Sequence, residues 1–272
     1  MKRLLTAAIG VPLALVAVFR LPGWAFFVVC AAAMTGAAWE FARLARSAAP
    51  GAPWGALPLL VPVAASALAW GLAPGAAVDG FWALAFGAAT VIGLGAVVLL
   101  ARTPIDEAFA GLGGLAFGVP YFAVPAAALY RIQALDPWLL FLLLAIVWLG
   151  DTAAFYVGTR WGRRRLAPVV SPKKSWEGAI AGFVVSLASV VVWSVWRLDR
   201  VDGALLAIGV GTTLASQLGD LVESLLKRGA GVKDSGDLLP GHGGLWDRLD
   251  AMLFAAPALL VLLWLTGHEV GP

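Results

Sequence analysis

Asp220, Glu223, Ser224 and Lys227 close an otherwise apolar stretch of the chain. Their i, i+3, i+4, i+7 spacing puts all four on one face of a helix, with Gln217 one turn deeper on that face. A polar stripe on an apolar helix must face protein or water, because lipid satisfies no polar group. A residue such as Asp costs about 2.5–3.5 kcal/mol on membrane insertion scales, so acids at membrane depth mark a functional site by default. Asp151, Asp220 and Glu223 fall at such positions, inside or at the edge of apolar segments. The plainer reading, a helix-end carboxylate reaching into interfacial water, stands beside the functional one for Asp151 and, less strongly, for Asp220.

The next stretch, Lys227 to Asp250, mixes glycines, cations and carboxylates before another apolar run begins. Gly243-Gly244 removes side chains where a backbone would approach a phosphate. The following helix offers free N–H groups and a positive dipole end. Asp247 and Asp250, spaced i, i+3, are expected in that helix's first turn. There they either answer the dipole or hold Mg²⁺, which takes one or two carboxylates together with substrate phosphates and water. His242 is the only histidine near this region; it is either a hydrogen-bonding loop residue or a participant in the chemistry.

An earlier polar loop, 159–177, carries Arg160, Arg163, Arg164 and Arg165, then Ser171-Pro172-Lys173-Lys174-Ser175-Trp176-Glu177-Gly178. The arginine run suits topology or anionic lipid. Ser175 is placed to cap the helix that follows, with Glu177 in its first turn. Lys173 and Lys174 just ahead of that helix form a candidate anion site.

The elements that must position these residues are membrane helices. Of 272 residues, 61% are hydrophobic and 13% charged, against about 25% charged in a soluble domain. Apolar segments long enough for a hydrocarbon core of about 30 Å fall at roughly 4–20, 24–42, 55–75, 80–101, 109–130, 137–158, 178–196, 203–225 and 251–267. The expected fold class is therefore all-α: a polytopic membrane protein of about nine transmembrane helices, with a cytoplasmic N-terminus. Met1-Lys2-Arg3 and the segment after it are read as a retained first helix. With nine spans, 15 of the 19 Lys and Arg residues fall on the inner side; only Arg20, Arg131, Arg197 and Arg200 fall outside. Residues 1–136 read as an N-terminal scaffold of about five helices. Residues 137–272 read as a catalytic region of about four helices with cytoplasmic loops 159–177 and 226–250. The single cysteine, Cys30, sits in an apolar run and packs as a small hydrophobe.

Residues 224–250 resemble the signature of the phosphatidate cytidylyltransferase (CDP-diglyceride synthase) family. The resemblance rests on Ser224, Lys227-Arg228, Lys233-Asp234, Gly236, Pro240, His242-Gly243-Gly244, Asp247-Arg248 and Asp250. Gly150-Asp151-Thr152, residues 171–178 and Gly219-Asp220 resemble further family elements, so specific motifs cover about the last 120 residues. The resemblance implies transfer of the cytidylyl group of CTP to phosphatidate, at the inner membrane with the site facing the cytoplasm. It implies Mg²⁺ on Asp220 and Asp247, with Asp250 as a further ligand, and suggests a monovalent companion such as K⁺. Asp220, Asp247, Lys227 and His242 become the expected catalytic residues. Lys173, Lys174, Ser175, Ser224, Arg228, Lys233, Gly243, Gly244 and Arg248 become the expected substrate contacts. For His242 two roles remain open: orienting a phosphate or protonating pyrophosphate. A homodimer in the bilayer is expected, with no nucleic-acid partner. The alternatives are a CTP-dependent lipid kinase of the polyprenol or phytol type, and an ion-coupled transporter. The first needs a base to activate a neutral alcohol. The second usually shows repeated, broken helices at the bilayer midplane, and this chain has no internal repeat. The paired Asp-rich motif of CDP-alcohol phosphotransferases is not present.

Overall fold

A computed structural model of the protein describes residues 2–72, 80–237 and 243–267, with side chains outside 2–9 and 80–86. Among the described residues there are nine α-helices. They are α1 (Lys2–Arg20), α2 (Gly23–Ala45), α3 (Leu57–Gly71), α4 (Gly80–Leu100), α5 (Ile105–Leu135), α6 (Pro137–Trp161), α7 (Trp176–Leu198), α8 (Gly203–Gly229) and α9 (Asp250–Thr266). Each stands where an apolar segment predicts one. Six of them are long and apolar enough to cross a membrane: α2, α3 with the 3₁₀ turn before it, α5, α6, α7 and α8. The apolar stretches Gly10–Arg20, Gly87–Leu100 and Asp250–Thr266 are shorter.

One element departs from the all-α expectation. Within the loop expected at 159–177, α6 continues to Trp161, and strands β1 (Arg165–Ala167) and β2 (Ser171–Ser175) form a small antiparallel hairpin. Its sequence has no strand-like alternation; helix ends hold it instead. The Glu177 carboxylate, in the first turn of α7, accepts hydrogen bonds from the backbone N–H groups of Arg163 and Arg164, and Trp176 N–H donates to the Arg164 carbonyl.

The chain divides into two compact units, each discontinuous in sequence. One comprises residues 1–4, 22–131 and 230–248; the other comprises 5–21, 132–229 and 249–272. Most of the expected scaffold lies in the first, together with the second polar loop.

The core of the first unit is aromatic. Phe41 of α2 packs edge-to-face on Trp246 at 5.4 Å and on Phe122 of α5 at 5.8 Å. The Trp246 indole N–H donates to the Tyr121 hydroxyl at 3.4 Å, and its side chain is fully buried. A buried indole of this size fixes a polar loop to an apolar helix pair, since it brings a large apolar area and leaves one donor to be met.

In the second unit small residues bring helices together. A methyl group at Gly182 of α7 would lie 2.8 Å from the Gly150 carbonyl of α6, so only glycine allows this approach. One turn on, the Ser186 hydroxyl donates to the Ile146 carbonyl at 2.7 Å. The Gln217 side chain of α8 donates to the Ala179 carbonyl of α7 at 3.0 Å, which accounts for the deepest member of the polar stripe. At the other end, Asp136 caps α6 by accepting from Trp138 N–H, and Arg197 pairs with it at 3.1 Å.

Candidate active site

The polar stripe of α8 ends in a cluster of charges within the second unit. Asp220, Glu223 and Asp250 each offer a carboxylate oxygen, and these oxygens lie within 4.8 Å of one another. Asp220 and Glu223 share a helix face by their spacing. Asp250 joins them because α8 and α9 meet closely at Gly219, where an added methyl group would sit 2.9 Å from the Asp250 carbonyl and 3.0 Å from Phe254. The glycine just before Asp220 is therefore what admits the first residue of α9.

Two lysines answer this negative charge. Lys174, on β2, pairs with Asp220 at 2.5 Å, and Lys227 pairs with Glu223 one turn along α8 at 2.7 Å. Glu223 is 1% exposed and Lys227 9%, so the second pair is a buried one. Asp151 of α6 lies within electrostatic reach of both Asp220 and Lys174. Three carboxylates in one place repel, and two ammonium groups at their edge reduce that cost.

The donor set suits a hard cation. Mg²⁺ takes oxygen ligands and favours carboxylates over the nitrogen or sulfur donors that softer metals prefer, and three carboxylate oxygens are what this cluster offers.

The remaining expected residues fall in several places. In the second unit, Ser224 is half-buried on the same face of α8, and Arg228 donates through Nε to the Val170 carbonyl in the hairpin turn at 3.3 Å. Ser175 is buried and caps α7, its hydroxyl accepting from Gly178 N–H at 3.2 Å. Lys173 and Lys174 are neighbours on a strand and so project to opposite sides. Lys174 turns to Asp220, and Lys173 is exposed.

In the first unit lie Lys233, Gly243, Gly244, Asp247 and Arg248. Lys233 and Arg248 are exposed. Asp247, expected to share a cation with Asp220, is not in the group of three acids; Glu223 is. The expected helical pairing of Asp247 with Asp250 also fails, because α9 begins at Asp250 and Asp247 sits in a 3₁₀ turn before it. The Asp247 carboxylate instead accepts from Ser235 N–H at 3.0 Å and Gly244 N–H at 2.8 Å. Gly243 adopts φ +80° beside it, a conformation only glycine holds without strain. His242 lies outside the described residues.

Two acids that the sequence does not offer as ligands stand out in the structure. Glu223, which its spacing places on the polar face, belongs to the group of three. Glu40 of α2 has no motif spacing to mark it, although it carries the same signal as Asp220: a carboxylate in an apolar span. It is 1% exposed and accepts hydrogen bonds from Ser235, Leu245 and Trp246.

The comparison with known proteins bears on the whole chain. A phosphatidate cytidylyltransferase of Pseudomonas aeruginosa is 36% identical over 279 residues, covering 98% of this chain and 97% of that protein. Proteins of the same name from Haemophilus influenzae and Bacillus subtilis are 43% identical over 126 residues and 44% over 119. Each of these two matches spans 43% of this chain and 44% of the relative. The family model described as "Cytidylyltransferase family" matches residues 1–266. With the family model covering nearly its full length, this helical membrane protein belongs to the cytidylyltransferase family.

Proposed function

We propose that the protein is a phosphatidate cytidylyltransferase, converting CTP and phosphatidate to CDP-diacylglycerol and pyrophosphate. The observation that carries the reading is the cluster of Asp220, Glu223 and Asp250 edged by Lys174 and Lys227, in a chain with a near full-length relative of that name.

In this reaction an oxygen of the phosphatidate phosphate attacks the α-phosphorus of CTP, and the bond to the β-phosphate oxygen breaks. The nucleophile is already anionic near neutral pH, since a phosphomonoester has a second pKa of about 6. No strong general base is required. The barrier lies in bringing two polyanions together, so positioning and charge stabilisation dominate. Lys174 and Lys227 lower the local negative potential, and Arg228, at the C-terminal end of α8, adds to it. The family resemblance alone makes Lys233 and Arg248 of the glycine-rich loop further candidate substrate contacts. Asp220, Glu223 and Asp250 would hold Mg²⁺. When bound, such an ion acts as a Lewis acid that clamps phosphoryl oxygens and offsets their charge. Asp247 serves the loop: its carboxylate holds two backbone N–H groups in place.

The charge bias of the loops supports a site at the cytoplasmic face of the inner membrane. There CTP arrives from water, and phosphatidate is held in the leaflet by its acyl chains. The family resemblance supports a homodimer.

The test uses purified protein in detergent or liposomes with CTP, phosphatidate and Mg²⁺. CDP-diacylglycerol, read by mass spectrometry, and pyrophosphate should form in equal amounts. A phosphorylated lipid alcohol with CDP as co-product would identify a lipid kinase instead and refute the reading.

A further inference from the structure

Glu40 is a buried carboxylate within the first unit, and three donors converge on it. Its Oε1 accepts from Leu245 N–H at 2.9 Å; its Oε2 accepts from the Ser235 hydroxyl at 2.7 Å and from Trp246 N–H at 2.9 Å. Each donor belongs to the loop that carries Lys233, Gly243, Gly244, Asp247 and Arg248. Asp247 adds a second carboxylate to the same knot, taking Ser235 N–H and Gly244 N–H. Ser235 is thus held by its hydroxyl and by its amide, to two different acids. The two ends of the loop, at Ser235 and at Gly244 to Trp246, are pinned together.

The glycines of the loop fit the same account. A methyl group at Gly244 would collide with the Ser235 hydroxyl and with the Glu40 carboxylate; at Gly236 it would come within 3.0 Å of Glu40 Oε1. A carboxylate from α2 occupies the space that their missing side chains leave. This reason differs from the phosphate approach that the sequence suggests for Gly244.

We propose that Glu40 is a positioning residue for the cytidylyl-transfer reaction: it touches no substrate and sets the geometry of the loop bearing Lys233 and Arg248. Charge-assisted bonds to a buried carboxylate are strong and directional. An acceptor with no proton of its own is the only group that satisfies this set of donors. An amide in its place must turn its NH₂ toward either Leu245 N–H or Trp246 N–H, so one backbone donor always meets another donor. The inference rests on the functional reading above for the reaction, but not for the hydrogen-bonded knot itself.

The test compares Glu40→Gln with wild type and with Glu107→Gln. Glu107 is a control from the same unit, whose carboxylate accepts from Gly51 N–H at 2.6 Å. Two readouts are taken on full-length protein: kcat/KM for CTP, and backbone hydrogen exchange by mass spectrometry. In Glu40→Gln, kcat/KM per folded protein should fall roughly 10- to 100-fold, the scale of misplacing reacting groups, and peptides covering 233–237 and 243–248 should exchange faster. Glu107→Gln should change neither. Ser235→Ala removes one of the three donors; it should move both readouts in the same direction by less, and it decides the matter if Glu40→Gln does not fold. Wild-type kinetics in Glu40→Gln, or in Ser235→Ala should that be the deciding variant, would overturn the proposal. So would lost activity with unchanged exchange in these peptides. Should the wild type itself fail to transfer cytidylyl groups, the functional reading fails separately, and the exchange comparison alone supports or overturns the brace.

Discussion

The Lys174 ammonium lies 2.5 Å from the Asp220 carboxylate, bridging the strand before α7 to the C-terminal part of α8. Both side chains are 27% exposed, so the pair is partly screened by solvent and open to exchange of partners. A cation bound at Asp220 and the Lys174 ammonium compete for one carboxylate. Replacing Lys174 by Met should therefore tighten divalent-cation binding without nucleotide, by about 3- to 10-fold on the scale of one lost charge interaction near a surface. If Lys174 contacts the phosphates of CTP as proposed, the same change should also raise KM for CTP. Titration with Mn²⁺ followed by electron paramagnetic resonance reads the first effect. Unchanged or weaker Mn²⁺ binding would contradict the competition.

Asp220→Asn and Asp250→Asn should each lower kcat by at least about 100-fold, the scale of losing an electrostatic contact made to the transition state. The thermal midpoint should rise with added Mg²⁺ in the wild type, since a ligand that binds only the folded state stabilises it. That rise should be absent in both variants. A variant that keeps either full turnover or the Mg²⁺-dependent rise would remove its aspartate from the cation site. Chelation should abolish wild-type turnover, and Mg²⁺ should restore it.

Glu223 and Lys227 form the buried pair, with side chains 1% and 11% exposed. Lys227→Met leaves a carboxylate buried beside two others. Breaking a buried pair from one side costs about 3–5 kcal/mol, so the thermal midpoint in detergent should drop by several degrees. Glu223→Leu combined with Lys227→Met should recover most of that loss, because the desolvated charge has gone with its partner. A double variant no more stable than Lys227→Met would show that the pair is not what holds the end of α8.

The proposed orientation, with the hairpin on the cytoplasmic side, makes a labelling prediction. Cys30 is buried and is the chain's one cysteine, so a Cys30→Ala background is thiol-free. Val169→Cys, in the hairpin turn where Val169 is 89% exposed, should react from the cytoplasmic side only. Arg200→Cys, between α7 and α8, should react from the opposite side only. The reverse pattern would invert the orientation.

Much of this architecture is legible in the chain itself. Apolar run length marks each helix, because hydrophobic span and turn residues are local properties. The α8 stripe is legible too, since its spacing fixes a face without knowledge of neighbours. What cannot be read is the pairing of distant elements. Asp250 meets Asp220 through the fit of α9 against Gly219, a contact that sequence does not show, so the motif points to Asp247 first and to Asp250 only as a further ligand. Helix geometry fails for Asp247 because the chain turns as a 3₁₀ helix before α9 begins. Glu40 meets partners at 235, 245 and 246, far along the chain, and no spacing rule links them. The hairpin at 165–175 lacks strand propensity and exists because Glu177 and Trp176 gather its backbone groups.

The most direct test of the central claim is to supply CTP labelled either at the α- or at the γ-phosphate, with phosphatidate and Mg²⁺. The α-label should enter the lipid and the γ-label should leave in pyrophosphate, in step with each other. The γ-label entering the lipid, or neither label moving in folded protein, would contradict the claim.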